Sequence, residues 1–404
     1  MPKQLPRLLF VMPNLTSGGA EKSLVTLLRV LGERHDAGER FAVDLLLLEK
    51  QGLFLPQVPP WVRVLDFGET YKRFTGDWKR ALPYFLPRGR LDLLLARVRY
   101  ARAFHAPPGE RPMRVWNALR YALPRLRHRY TAAIAYLEGN ATWYCAEKVR
   151  AAHKLSFFHS DYQNFMAQYA MDKKSFAAFD TIVGVSSDCV RILQEIFPEY
   201  ASRISCVENI VSPVLLRSLA RQADPPWQPA NTPAILTVAR LDSCKGVDIA
   251  IRACALLRKA GVALRWYVLG GGDPFALQTL IAEQGVTDCF FLLGERENPY
   301  PALAACDLYV QPSRFEGKSI ALEEAKALGK PIVTTRYGTV ANQITDGVTG
   351  VLADISPEDL ADKIKALLEN APLRQRLQEN LHDIAGNEGE AAKFLQLLGA
   401  DFQD

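Results

Sequence analysis

Pro312-Ser313-Arg314-Phe315-Glu316-Gly317-Lys318-Ser319-Ile320-Ala321-Leu322-Glu323-Glu324-Ala325-Lys326-Ala327-Leu328-Gly329-Lys330-Pro331 decides how this chain is read. Apolar Leu308-Tyr309-Val310 runs into it and Pro331-Ile332-Val333-Thr334-Thr335 leaves it, so two short strands flank a turn and a helix. The spacing predicts a helix from near Ser319 to Gly329, a glycine suited to the residue after a helix end. A turn containing Gly317 at a helix N-terminus offers backbone N–H groups and the positive end of a dipole, which together favour an anion. Carboxylates cannot bind that anion. Glu316 and Glu324 can accept hydrogen bonds from neutral hydroxyls on either side of it. Taken alone, Glu323 and Glu324 read as solvated helix residues and Glu316 as a cap.

Working outward, the chain alternates strand and helix. Leu8–Met12 is a strand, followed by a Gly18-Gly19 turn and a helix with Leu24, Leu27, Leu28 and Leu31 on one face. Further strands are expected at 41–48, 62–67, 132–137, 154–159 and 181–185, and a second alternating series begins at 234–238. This pattern predicts parallel sheets covered by helices on both faces. Proline-rich Asp224-Pro225-Pro226-Trp227-Gln228-Pro229 breaks the rhythm and marks a domain boundary. The expected organisation is a first domain over 1–212, a linker over 213–233, a second domain over 234–380 and a helical tail over 381–404 that returns to the first domain. Ligands in such sheets sit at the carboxyl ends of the strands.

A chain of 404 residues, 49% hydrophobic and 23% charged, has the composition of a two-domain globular protein. No apolar run approaches the roughly 20 residues that span a bilayer. The N-terminus reads as a first strand rather than a signal peptide, which predicts a cytoplasmic protein. Seven scattered cysteines without a Cys-x-x-Cys pair read as reduced thiols. The net charge of +5 is uneven: residues 71–130 carry fifteen Lys or Arg against Asp77, Asp92 and Glu110. That segment is also rich in Leu, Trp, Tyr and Phe, and reads as basic amphipathic helices suited to an anionic membrane surface or an anionic lipid-linked acceptor. Ordinary helices with Arg at the rim are the competing reading, and nucleic acid is not expected because no reading motif accompanies the charge.

The spacing Glu316-x7-Glu324, with Gly after the first Glu and Ala after the second, resembles the signature of retaining glycosyltransferases of family 4. The resemblance implies a GT-B fold: two Rossmann-like α/β domains with doubly wound parallel sheets, facing a central cleft. It also implies a nucleoside diphosphate sugar as donor, a UDP-sugar foremost, and transfer to a hydroxyl of a glycan or lipid-linked acceptor in polysaccharide assembly. Arg240 and Lys245, in Ala239-Arg240-Leu241-Asp242-Ser243-Cys244-Lys245-Gly246, match the cations this family sets on the diphosphate. His159, in Phe157-Phe158-His159-Ser160-Asp161, matches its sugar-contacting histidine. The expected catalytic set is therefore Glu316, His159, Arg240 and Lys245. The expected substrate-binding set is Gly18, Gly19, Gly270, Gly272, Gly294, Glu295, Arg296, Gly317, Lys318, Ser319 and Glu324. Gly270-Gly271-Gly272-Asp273 is not a dinucleotide fingerprint, because Phe275 stands where the third glycine belongs. Two departures stand out: Lys318-Ser319 where many members carry an apolar residue and Gly, and Glu208-Asn209 where they carry Pro-Asn-Gly. No Asp-x-Asp occurs, so neither metal nor cofactor is expected. The alternatives are a nucleotide-sugar epimerase on the same architecture and a non-catalytic nucleotide-sugar-binding partner.

Overall fold

The structure, a computed structural model, describes residues 5–16, 18–36, 41–228, 230–382 and 384–399. It divides into two compact units, one comprising residues up to Asn209 plus those from Gly389 onward, the other Ile210–Glu388.

The first unit is built on strands β1 (Arg7–Met12), β2 (Ala42–Leu47), β3 (Arg63–Leu65), β4 (Arg129–Ala135), β5 (Arg150–Phe158), β6 (Thr181–Gly184) and β7 (Ile204–Cys206). Their order in the sheet is β3-β2-β1-β4-β5-β6-β7, with every pairing parallel. Leu8 to Met12 are wholly inaccessible, as a strand covered on both faces requires. The second unit carries β8 (Ala234–Val238), β9 (Arg265–Leu269), β10 (Phe290–Leu292), β11 (Leu308–Gln311), β12 (Ile332–Thr335) and β13 (Val351–Ala353), ordered β10-β9-β8-β11-β12-β13 and again all parallel. Each sheet thus reverses its winding once, between β1 and β4 in the first unit and between β8 and β11 in the second.

Helix starts are chemically specified. Ser186 Oγ accepts from the Cys189 amide, Ser356 Oγ from Asp359 and Ser319 Oγ from Leu322, each satisfying one donor that the first helical turn leaves over. The basic segment folds as four helices, Gly68–Thr75, Trp78–Phe85, Leu91–Ala103 and Arg111–Leu119. Tyr71, Phe74, Phe85, Leu93, Trp116 and Leu119 from these helices enter the core of the first unit.

One expectation needs correction. Residues 213–233 are not a free linker. Pro213–Ala220 is a helix capped by Ser212, Leu216 and Leu219 are buried in the core of the second unit, and Asn298 Nδ2 donates to the Leu219 carbonyl at 2.7 Å. Trp227 then stacks on Tyr267 with centroids 4.2 Å apart and planes 5° from parallel. Proline content suggested an open tether, but Ser212-Pro213 is a helix start and the leucines after it have helical spacing. Beyond residue 380 the chain rejoins the first unit from Gly389 on. The helix Ala371–His382 ends and a separate helix, Gly389–Leu397, follows. Phe394 of that last helix packs against Phe10 and Phe157 of the first unit, and Glu390 accepts the Glu208 amide at 2.7 Å.

Candidate functional site

In the second unit, the segments leaving β8 and β11 meet at the winding reversal. The turn after β8 brings Lys245 against the signature loop, where its Nζ lies 2.6 Å from Glu316 Oε2. The other oxygen, Oε1, accepts from Ser313 Oγ at 2.7 Å and Gln311 Nε2 at 3.2 Å. Glu316 is 9% exposed and the Lys245 side chain 20%. A carboxylate this secluded is tolerable because a cation and two neutral donors share its charge.

Backbone geometry fixes this approach. Gly246 has φ +64, and a Cβ there would lie 2.0 Å from the Pro312 carbonyl oxygen, so only glycine lets the two loops touch. Arg314 closes the clamp with paired hydrogen bonds to both carboxylate oxygens of Asp248, each 2.7 Å, and a third to the Ser243 carbonyl at 2.8 Å. The fork matches the carboxylate geometry, and the guanidinium holds the Asp248 carboxyl below its ordinary range. The Arg314 amide also donates to the Cys244 carbonyl at 2.8 Å.

Glu324 lies on the helix Ile320–Ala327, is 4% exposed, and accepts from Tyr300 Oη at 2.8 Å. Burial foremost, then the negative charges of Glu316 and Glu324, push the Tyr309 hydroxyl well above its ordinary range. Ser319 is placed differently from expectation. Its hydroxyl caps the helix and donates to Gln311 Oε1 at 2.8 Å, while its amide donates to Gln343 Oε1 at 2.9 Å. It is a strut under the loop, with its donors already committed. Gly317 and Lys318 lie between Glu316 and this cap.

The glycine turn at 270–272 runs beside the segment after β8. The Leu241 amide donates to the Gly271 carbonyl at 2.7 Å, and the Gly270 amide to the Gly294 carbonyl at 3.0 Å. A Cβ on Gly270 would lie 1.8 Å from the Ala239 carbonyl oxygen, so this turn exists to let two backbones nearly touch. Glu295 and Arg296 are exposed on the next loop, after β10. Arg240 is mostly exposed and pairs with Asp242 at 3.2 Å.

The remaining expected residues belong to the first unit. Gly18 and Gly19 follow β1, and Gly19 opens the helix Gly19–Asp36. His159 follows β5, and both its ring nitrogens are buried without a well-formed hydrogen bond, the Tyr136 backbone making only a weak contact. Desolvation pulls its pKa down to about 4, so the imidazole is neutral at physiological pH and offers one donor and one acceptor rather than a charge. Its ring lies 5.1 Å from that of Tyr136. Tyr136 Oη shares a 2.9 Å hydrogen bond with Ser23 Oγ, which donates to Asn209 Oδ1 at 2.6 Å. The altered Glu208-Asn209 segment therefore still ties its asparagine into the end of this sheet.

Sequence reading missed Ser313, Gln311, Gln343, Arg314 and Asp248. Arg314 and Asp248 are 66 positions apart, and only the fold joins them; Ser313 alone was visible, three residues before Glu316. Among the described residues no three His, Cys, Asp or Glu side chains gather in a metal-holding group.

Residues 222–383 match the family model of glycosyl transferases group 1. Over 143 residues, 33% of this chain and 34% of the relative, the sequence is 36% identical to an amylovoran biosynthesis glycosyltransferase, AmsK, of Erwinia amylovora. The chain spans about a third to a half of the length of the curated relatives it matches. Among solved structures, a variant of S. aureus TarM in complex with Fondaparinux, alpha-GlcNAc-glycerol and UDP superposes with TM-score 0.67 at 12% identity, covering 98% of this chain and all of that one. Anabaena Alr3699/HepE in complex with UDP-glucose gives TM-score 0.63 at 18% identity, covering 96% of this chain and 94% of the other. These likenesses show a GT-B fold.

Proposed function

From the group 1 match over residues 222–383 and the charge-paired loop beside it, we propose that this chain is a retaining glycosyltransferase of family 4 that moves a sugar from a UDP-sugar to an acceptor hydroxyl. The observation that carries this reading is the Lys245–Glu316 pair at the winding reversal of the second unit, where α/β sheets bind their ligands. Glu316 accepts from hydroxyls of the donor sugar. Lys245 exchanges part of its contact with Glu316 for the diphosphate. Glu324 accepts from the ribose hydroxyls.

Breaking the bond between the anomeric carbon and the phosphate oxygen places positive character on the sugar ring and negative charge on the departing nucleoside diphosphate. Lys245, Arg240 and the amides around Gly317 stabilise that negative charge, with the helix N-terminus behind them. Arg240 reaches it by leaving Asp242, a low-cost move for an exposed pair. The acceptor hydroxyl gives its proton to the leaving phosphate as it attacks the same face. Neutral His159, in the first unit, can hydrogen-bond a sugar hydroxyl without adding charge. The chain's own cations take the part a metal plays in other transferases. The relative named for amylovoran biosynthesis supports a polysaccharide or lipid-linked glycan as acceptor, and the UDP-glucose complex of a structural neighbour supports the donor class.

The basic segment supplies the membrane contact in this reading. Trp78, Leu82 and Leu86 are exposed at four-residue spacing on one stretch, Leu91 and Leu95 on the next, with Lys79, Arg80, Arg88, Arg90 and Arg99 exposed among them. Apolar side chains flanked by cations suit the headgroup boundary of an anionic bilayer. No described helix is long and apolar enough to cross a membrane. The test of the activity is release of UDP from a panel of UDP-sugars with and without a glycan acceptor. Acceptor-dependent release supports transfer; sugar isomerisation without acceptor points to an epimerase, and UDP-sugar binding without turnover to a non-catalytic partner.

A further inference from the structure

Both units wind the same way, and the second unit gathers its charged residues where the winding reverses, on the segments leaving β8 and β11. The equivalent pair in the first unit is β1 and β4. The segment leaving β4 is Tyr136-Leu137-Glu138-Gly139, and Glu138 is its one carboxylate. His159, which the sequence singled out, lies one strand further along, after β5.

Glu138 is half-buried, and its Oε2 accepts the His159 amide at 3.1 Å. The Ser160 side chain also hydrogen-bonds the carboxyl group, but desolvation outweighs these contacts and raises its proton affinity. Among the described residues no Lys or Arg forms an ion pair with it. This is the reverse of Glu316, which has its own cation. The His159 ring, on the residue whose amide Glu138 holds, carries two buried nitrogens without a well-formed hydrogen bond, the Tyr136 backbone offering only a weak one. A carboxylate with lone pairs to spare beyond its loop contacts and a neutral imidazole with at least one nitrogen unspent can each bind a hydroxyl. They also form a poor place for a phosphate or carboxylate, because a like charge beside an uncompensated carboxylate is repelled in a weakly polarisable setting.

We propose that Glu138 is a specificity-determining residue of the acceptor site: it accepts a hydrogen bond from an uncharged sugar hydroxyl beside His159 and rejects anionic groups at that position. The proposal rests on the glycosyltransferase reading and deepens it. The acceptor's negative charge, where it has any, is then carried away from the reacting sugar.

The test compares binding of octyl β-D-glucoside and glucose 6-phosphate to the full chain in the presence of UDP, by titration calorimetry or saturation-transfer NMR. The wild type is expected to bind the neutral glycoside at least tenfold more tightly than the phosphate. Glu138→Gln keeps an oxygen for the His159 amide, so it separates substrate contact from simple support of the loop. It is expected to weaken the glycoside about fivefold to tenfold and to narrow the discrimination, while Glu138→Lys inverts the preference, both with unchanged thermal midpoints. Wild-type affinity and discrimination in Glu138→Gln would overturn the proposal, as would a wild type that prefers the phosphate or fails to bind the glycoside. UDP release is followed separately: if no UDP-sugar is turned over while the Glu138 discrimination persists, the transferase reading fails and the assignment of Glu138 stands.

Discussion

The winding reversals of the two units are built alike and furnished oppositely. In the second unit the charges at the reversal are already matched, Lys245 to Glu316 and Arg314 to Asp248. In the first, among the described residues, the ring nitrogens of His159 lack a well-formed hydrogen bond and Glu138 lacks an ion pair. Under the proposed function, the difference fits two kinds of ligand. A site for a diphosphate needs cations, which must be held by carboxylates until the ligand arrives. A site for a neutral polyol needs hydrogen-bonding groups whose partners are still to come.

The contrast breaks most visibly at the paired site. Lys245→Ala and Glu316→Ala are each expected to lower UDP release by about 10²–10³-fold, the usual scale for removing one stabilising group from a site of developing charge. Because each also strands a buried partner, the double variant Lys245→Met/Glu316→Gln should recover thermal stability over Lys245→Ala yet stay inactive. Recovery of activity with stability would mean the pair is structural. Next in size is the clamp. Asp248→Asn is expected to cut kcat about tenfold with little change in KM, since Arg314 acts by holding the loop; an unchanged kcat would show that the loop holds itself.

The first unit can be examined by pH. Asp172 accepts from Trp143 and Tyr162, and burial raises its pKa to about 6 from 3.8, so it contributes stability that is full below pH 3.8 and lost as pH rises through 6. His159, lowered to about 4 from 6.5, works the other way: stability falls as pH drops from 6.5 to 4. Each effect is on the order of 3 kcal/mol at about 1.4 kcal/mol per pK unit, and they oppose each other between pH 4 and 6. Asp172→Asn should expose a stability that rises with pH across that window, and His159→Gln one that falls. Parallel curves for the two variants and the wild type would contradict the burial of both groups. The smallest effect expected is at the surface: replacing Trp78 and Leu95 with Ser should weaken cosedimentation with anionic vesicles several-fold at unchanged thermal midpoint, and unchanged cosedimentation removes the membrane contact.

Much of this was legible from the chain. Two alternating series of apolar runs announced two parallel sheets, because strands covered on both faces leave few other patterns. The Ser319 cap and the Gly329 stop framed the signature helix to within a residue. Less was legible where meaning depends on distant partners. Arg314 reads as a loop cation until the fold brings Asp248 beneath it. Ser319 looked like a ligand residue because nothing in its neighbourhood announces Gln343. Glu138 sits in an unremarkable Leu-Glu-Gly, and only the strand order gives it significance. Composition misled at 213–220, where proline marked a helix start rather than a tether.

The central claim is that Glu316 and Glu324 grip different parts of one donor molecule. Calorimetric titration of UDP and of UDP-glucose into wild type, Glu316→Gln and Glu324→Gln tests it most directly. Glu316→Gln should bind UDP as tightly as wild type or tighter, since Lys245 is released, and UDP-glucose about tenfold more weakly. Glu324→Gln should weaken both by a similar factor through the ribose. Equal losses for the two ligands in Glu316→Gln, or no loss in either variant, would contradict it.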